Sequence, residues 1–340
     1  MSRRRKSFSA AVPLLATLLF LLLATGGVLW VLAAPYGPET EIFVEIAPGA
    51  STIHIGRQLQ QAGVVRSGAV FDLMRWLRHG TLKAGEYRFD HPAPLSEVYN
   101  RIARGDVFTR TVTIPEGATI FDIAVRIEEA GLVSGQDFIA AQAKLTGLVS
   151  DFDPGARSLE GYLFPDTYHF PRRATPEQIC SAMVRRFRAA AAQIGLKENV
   201  HRVVTLASLV ERETAVDADR PLVASVFVNR LARKMPLMTD PSVIYGLELH
   251  GQWRGTIYRS DLEHDTPYNT YLHAGLPPGP IANPGLRSLR AALHPAHTGY
   301  LYFVAAGANA QGHSLFSSTI EAHHRNVAEY RRALRKAGER

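Results

Sequence analysis

The sequence predicts an α+β protein carried behind one apolar segment. Three observations predict it. A run of 23 uncharged, mostly apolar residues lies near the N-terminus, at 12–34. A strand–turn–helix pattern occurs twice without a gap, first from Val44 and again from Val112. Beyond about Leu159, helical patterns alternate with short strings dense in Gly, Pro, Tyr and Asn. Together these make a chain of mixed strand and helix signals.

Composition narrows the class. With 340 residues the chain can hold roughly two domains with real cores. Apolar content of 46% and charged content of 20% exclude a mostly disordered chain. The net charge is +7, but Arg3, Arg4, Arg5 and Lys6 supply four of those charges. The remainder, spread over more than 300 residues, is not the footprint of a nucleic-acid binder. A single cysteine, Cys180, excludes an internal disulfide framework and any multi-cysteine zinc or iron–sulfur site. It falls in a helical pattern and reads as a small core residue.

The apolar run is long enough to span a bilayer with some tilt. Trp30 and Tyr36 stand near its far end, where amphipathic aromatics prefer the interface. The basic cluster before it and Glu39 and Glu41 after it predict the N-terminus inside and the bulk outside. The competing reading is a cleaved signal peptide. Its apolar run would be shorter, and Pro35 spoils Ala33-Ala34 as a cleavage site. On either reading the rest of the chain works outside the cytoplasmic membrane. Residues 1–38 are therefore expected to be a cytoplasmic tip and single-pass anchor.

In the repeat, residues 44–65 align with 112–133. Strands are expected at 43–46 and 111–114, each meeting a Pro/Gly turn. Ser51 or Thr119 then caps a helix. Ile55 and Leu59, or Ile123 and Ile127, face inward at i, i+4. Gly63 or Gly131 closes the helix. Second helices are expected at 67–78 and 136–145, a strand at 84–89, and a helix at 95–103 closed by Gly105. Residues 39–108 form one module by this reading. Residues 109–340 form the second domain, whose first part, 109–150, repeats the grammar of the module.

That second domain opens into an aromatic string, 159–168. Helices follow at 175–194, with Pro176 in its first turn, then from about Asn199 to Glu211-Arg-Glu-Thr214, and then at 222–233. After them come TDPSVIYG at 239–246, YNTY at 268–271 and GLPPGPIANPG at 275–285. A strand at 300–304 and a helix at 318–337 close the chain. The close histidine pairs, His294 with His297 and His323 with His324, form no H-E-x-x-H, so no metal is expected.

These strings, in this order, resemble the endolytic murein transglycosylase (YceG-like) family over essentially the whole chain. The resemblance implies a single-pass membrane anchor, a LysM-like βααβ module that binds glycan, and a mixed α/β lytic transglycosylase catalytic domain; the alternative for the module is a packing unit that positions the next domain. It implies cleavage of the β-1,4 bond between N-acetylmuramic acid and N-acetylglucosamine, with the muramic 6-hydroxyl attacking its own anomeric carbon. It implies no cofactor. Its implied partners are peptidoglycan strands and, at the cytoplasmic (inner) membrane, the peptidoglycan synthases.

Such chemistry needs a proton for the leaving oxygen and then a base for the 6-hydroxyl, and one carboxyl can do both. Burial in an apolar surround raises its pKa for the first task. Glu211 and Glu213 compete for this role, and on a helix they point about 200° apart. A Ser or Thr after the catalytic acid is the lytic transglycosylase pattern, and Glu213-Thr214 fits it. Glu213 is therefore the candidate acid/base, with Glu211 either in a salt bridge or as a partner that supports the acid. Tyr245, Tyr268 and Tyr271 can stack on sugars. Thr239, Asn269 and Asn283 can hydrogen-bond acetamido or hydroxyl groups. Glu160, with Asp166 in the same string, can bind substrate or orient the acid. Asp240 can bind substrate, fix a turn, or serve a hydrolytic muramidase as its second carboxylate. A silent glycan-binding scaffold is the alternative outside enzymes.

Overall fold

The computed structural model describes residues 11–307 and 312–338. The basic cluster Arg3, Arg4, Arg5 and Lys6, on which the predicted orientation rests, lies outside the described residues. The fold is mixed α and β, with two compact units that divide between Thr109 and Arg110.

The first unit begins with α1 (Ala11–Ala33), whose stretch Pro13–Trp30 has mean hydropathy 2.0 and is long and apolar enough to cross a membrane. Then follow β1 (Ile42–Ile46), α2 (Thr52–Gln61), α3 (Gly68–Arg78), β2 (Gly85–Phe89) and α4 (Leu95–Arg104). Strands β1 and β2 pair antiparallel, Ile42 opposite Phe89 and Ile46 opposite Gly85. Ser51 and Ser67 cap α2 and α3 by accepting from the amides of His54 and Val70. Where these helices cross, two glycines meet. A Cβ on Gly56 would lie 2.8 Å from the Gly68 carbonyl oxygen, so the backbones approach only because neither has a side chain. The core gathers Val44, Ile46, Leu59, Phe71, Tyr87, Val98 and Ile102.

The second unit starts with the same order: β3 (Arg110–Thr113), α5 (Ile120–Glu129), α6 (Gly135–Lys144) and β4 (Thr167–Phe170). Strands β3 and β4 pair antiparallel, Arg110 opposite Phe170. The internal repeat is thus a duplicated βααβ unit. In both copies Ser or Thr caps the first helix, Thr119 through a capping box with Asp122. Then come α7 (Pro176–Gln193), α8 (Val200–Glu213), α9 (Arg220–Ala232), α10 (Asp240–Leu249), the short α11 (Arg259–Leu262), α12 (Leu286–Leu293), β5 (Tyr302–Ala305), β6 (Ser314–Ser317) and α13 (Ile320–Gly338). Helix α8 is buried on all sides from Val203 to Val210 and is the central helix of this unit. Cys180 is buried on α7, and burial pushes its thiol up to about 12.

Helices α10 and α12 and strands β4 and β6 were not expected. Helix α10 begins at Asp240-Pro241, which in sequence reads as a turn; Pro in the first turn of a helix is equally at home, because its missing amide proton has no partner there.

The loop before α12 runs along α8 rather than over the surface. The Pro278 carbonyl lies 3.1 Å from His201 Nε2, the Ile281 amide donates to Ser208 Oγ at 3.0 Å, and the Gly285 amide donates to Glu211 Oε2 at 2.9 Å. Side chains of α8 therefore satisfy backbone groups that burial would leave unpaired. Gly161, at φ +86°, lets this loop in: a Cβ there would meet Pro280 Cγ at 2.5 Å and Val204 Cγ1 at 2.7 Å.

Candidate active site

The two glutamates at the end of α8 go to different places. Glu211 is 5% exposed and accepts from Arg220 Nη1 at 2.6 Å as well as from the Gly285 amide. It joins the ends of α8, α9 and α12. Glu213 is the last residue of α8, and Thr214 turns the chain to extended backbone (φ −146°, ψ 134°). Two residues on a helix turn about 200°, so the pair cannot share a face.

Glu213 meets Arg230 of α9, Thr239 and Asp240 at the start of α10, and, through Asp240, Tyr271. The residue keeps some open surface while its carboxyl is packed deeply. Burial raises its pKa, and the charge of Asp240 pushes the same way. The Thr239 hydroxyl and the Arg230 cation oppose that shift. Thr239 Oγ1 is buried with no partner at full hydrogen-bond geometry, yet it faces Glu213 closely enough to favour the ionised form. The carboxyl thus carries a proton into higher pH than an ordinary glutamate, and the carboxylate left after proton loss has a cation and a hydroxyl beside it.

The supporting groups are fixed. Arg230 donates to the Leu301 carbonyl at 2.7 Å and the Leu237 carbonyl at 2.8 Å, and its guanidinium lies 5.3 Å from the Tyr302 ring centroid. The Tyr271 hydroxyl donates to exposed Asp240 at 2.6 Å. The Thr239 amide donates to Thr270 Oγ1 at 3.0 Å, which ties the start of α10 to the YNTY string. Arg230 was not a candidate from sequence. Its signal was a charge set beside the apolar face of a helix.

The other sequence candidates form a separate, closed group. Glu160 is 1% exposed; it accepts from the Ile120 amide at 2.9 Å, from Asn283 Nδ2 at 2.6 Å and from the Tyr245 hydroxyl. Asn283 also accepts from the Leu163 amide and donates to the Ala118 carbonyl, each at 2.9 Å. Tyr245, 2% exposed, packs edge-on to Tyr268 at 5.0 Å and tilted against Phe121 at 6.3 Å. Asn269 uses both amide protons on the carbonyls of Leu262 and His264. Sequence reading expected these groups to be open to sugar. For Glu160, Tyr245 and Asn283 the structure differs, because their polar atoms close contacts between segments that are far apart in the chain; Asn269 is buried as well, its amide spent on its own loop. Tyr268 keeps a partly open ring, and Asp166 pairs with Arg186 at 2.6 Å away from this group.

Burial raises the Glu160 carboxyl to about 8, against about 4.3 in an unfolded chain. A carboxyl raised on folding costs nothing while both states are protonated. The cost grows as pH rises from the unfolded value through the folded one. Glu160→Gln removes that cost but turns one accepting oxygen into a donor facing the Ile120 amide or Asn283. We expect the variant to be less stable than wild type by about 1–3 kcal/mol at pH 5, with the gap narrowing by pH 8.5. Thermal unfolding at the two pH values checks it; a gap that widens with pH contradicts it.

The chain as a whole is similar to known proteins. The YceG-like family model matches residues 44–329. An endolytic murein transglycosylase of Bacillus subtilis (strain 168) is 34% identical over 313 residues, covering 86% of this chain and 85% of that protein. One of Streptococcus pneumoniae serotype 2 is 33% identical over 322 residues, 85% of this chain and 58% of that longer protein. The crystal structure of a YceG-like protein from Listeria monocytogenes is 33% identical, with a TM-score of 0.55 over 85% of this chain and 99% of that one.

Proposed function

The chain belongs to the YceG-like family, and from that membership we propose that it is an endolytic lytic transglycosylase of peptidoglycan with Glu213 as its acid/base. The single observation that carries the assignment is the deeply packed carboxyl at the end of α8, raised by burial and set beside Arg230 and Thr239. Protonated Glu213 gives its proton to the glycosidic oxygen as the bond to the muramic anomeric carbon breaks. The carboxylate then takes the proton of the muramic 6-hydroxyl as that oxygen bonds to the same carbon. Glu213 ends protonated, no water is consumed, and the product carries a 1,6-anhydro end.

Tyr271, Asp240 and the open face of Tyr268 are the groups we assign to the sugar, while the buried Thr239 hydroxyl acts through Glu213. Glu160, Tyr245, Asn269 and Asn283 hold the segments that shape the cleft. The first unit supports a LysM-like glycan-holding role through its βααβ order. Helix α1 supports a membrane anchor with the N-terminus inside. An enzyme so anchored would cut nascent strands beside the synthases, and in-cell crosslinking checks that by recovering a synthase.

A hydrolytic reading has one observation in its favour: Asp240 carries a second carboxylate that acts on Glu213. Mass spectrometry of products from purified sacculi separates the two. We expect glycan ends lighter by one water than the hydrolysis product. Reducing muramic ends would overturn the transglycosylase reading.

A further inference from the structure

In the first unit, helix α3 carries an apolar outer face. Leu73, Trp76 and Leu77 stand at i, i+3 and i+4, and are 44%, 67% and 59% exposed. The opposite face is buried through Phe71 and Met74. A solvated helix normally gives its outer face to polar residues. Here that face carries a tryptophan between two leucines, with Arg75 and Arg78 in the same last turn.

Helix α1 is fastened to this unit without slack. Leu32 packs against the unit's core, and Tyr36 already pairs with Ala93 through both backbone hydrogen bonds, at 3.0 and 3.1 Å. Arg66 lies 4.3 Å from the Trp30 ring centroid and 4.6 Å from that of Tyr36, and donates to the Pro35 carbonyl at 3.2 Å. Helix α1 rests against α3 and α4. The three residues from Ala33 to Tyr36 reach at most about 10 Å. If α1 crosses a bilayer, the unit therefore sits at the headgroup layer, and α3 is one of the two helices nearest to it.

We propose that α3 docks on the phospholipid surface at the outer face of the membrane that α1 crosses. Trp76, Leu73 and Leu77 enter the boundary between headgroups and acyl chains, where tryptophan is favoured. Arg75 and Arg78 meet lipid phosphates, with Arg78 held from below by Asn100 Oδ1 at 2.6 Å. The proposal rests on the reading of α1 as a membrane span. A glycan strand is the poorer occupant, because a sugar on an aromatic face also needs hydrogen-bonding neighbours, and two leucines supply none. The consequence is a first unit held flat on the membrane by two points, a span and a surface helix, rather than swinging on one.

The test uses the full chain in nanodiscs of phosphatidylcholine and phosphatidylglycerol. Two single-tryptophan variants are made by Trp→Phe changes, one keeping Trp30 and one keeping Trp76, and circular dichroism checks that both fold. Lipids brominated near the carbonyl end of the acyl chain quench tryptophan at that depth. We expect both variants to lose emission, and Trp76 emission to be blue-shifted relative to detergent-free peptide in water. Quenching of Trp30 without quenching of Trp76 would overturn the docking proposal and leave the span intact. Absence of quenching in both would remove the span and the docking with it. An unquenched Trp76 whose emission changes when purified glycan strands are added would assign α3 to sugar and overturn the proposal.

Discussion

Glu213→Gln is expected to lower the release of glycan fragments from sacculi by about 10²–10⁴-fold or more, while the unfolding temperature at neutral pH stays level or rises. The first part follows from the proposed role of the carboxyl, since an amide could neither give the leaving oxygen its proton nor take one from the 6-hydroxyl. The second follows from linkage. Burial raises the Glu213 pKa above its unfolded value, so the ionising unfolded state gains on the folded one as pH rises through that interval. Glutamine removes this cost. The stability difference between variant and wild type should therefore shrink toward acid pH, where both states hold the proton. Activity assays paired with thermal unfolding at pH 5 and pH 8 measure both parts. A variant that digests sacculi as wild type does would remove Glu213 from the chemistry.

That paired signature also shows what sequence could reveal. The end of α8 was legible because a long apolar run with a closing Glu-x-Glu-Thr is a local pattern, and local patterns are what periodicity reports. The repeat was legible for the same reason: Ser51 and Thr119, Ile55 and Ile123, Gly63 and Gly131 recur at one offset. Strand β4 was not, because its four residues, lying between Pro165 and Pro171, are too few to show an alternation. The fate of Asn283 was hidden for a different reason. A string of Pro and Gly reads as a surface turn, and only the partners supplied by His201, Ser208 and Glu211 let it run through the interior. Those partners stand roughly seventy positions away in sequence, so no window on the loop contains them. Tyr245 went unread in the same way. Its ring became a core residue once α10 was a helix, and the sequence showed a turn there.

The same distinction between local and distant partners decides what Glu211 is for. Arg220→Met is expected to destabilise the second unit by about 3–5 kcal/mol, a fall in unfolding temperature of about 6–20 °C for a unit of this size. Arg220 is 6% exposed and joins Glu211 at 2.6 Å, the Ser288 hydroxyl, and Asp217 at 3.3 Å. Removing it leaves the Glu211 charge with the Gly285 amide as its hydrogen-bond donor among the described residues, and with the Glu116 carboxylate nearby. Removing the charge as well, in Glu211→Gln with Arg220→Met, should recover part of the loss, because the neutral amide keeps an oxygen for Gly285 and no longer needs a counter-ion. The two single changes and the double form a cycle, and a favourable coupling energy is the mark of a buried pair. Activity supplies the decisive comparison. At a temperature well below its midpoint, the Glu211→Gln enzyme should keep most of its turnover, whereas the Glu213→Gln enzyme, as stable as wild type, should have lost it. The reverse result, with Glu211→Gln folded and inactive, would move the acid two residues back and make the Glu211–Arg220 pair part of the reaction.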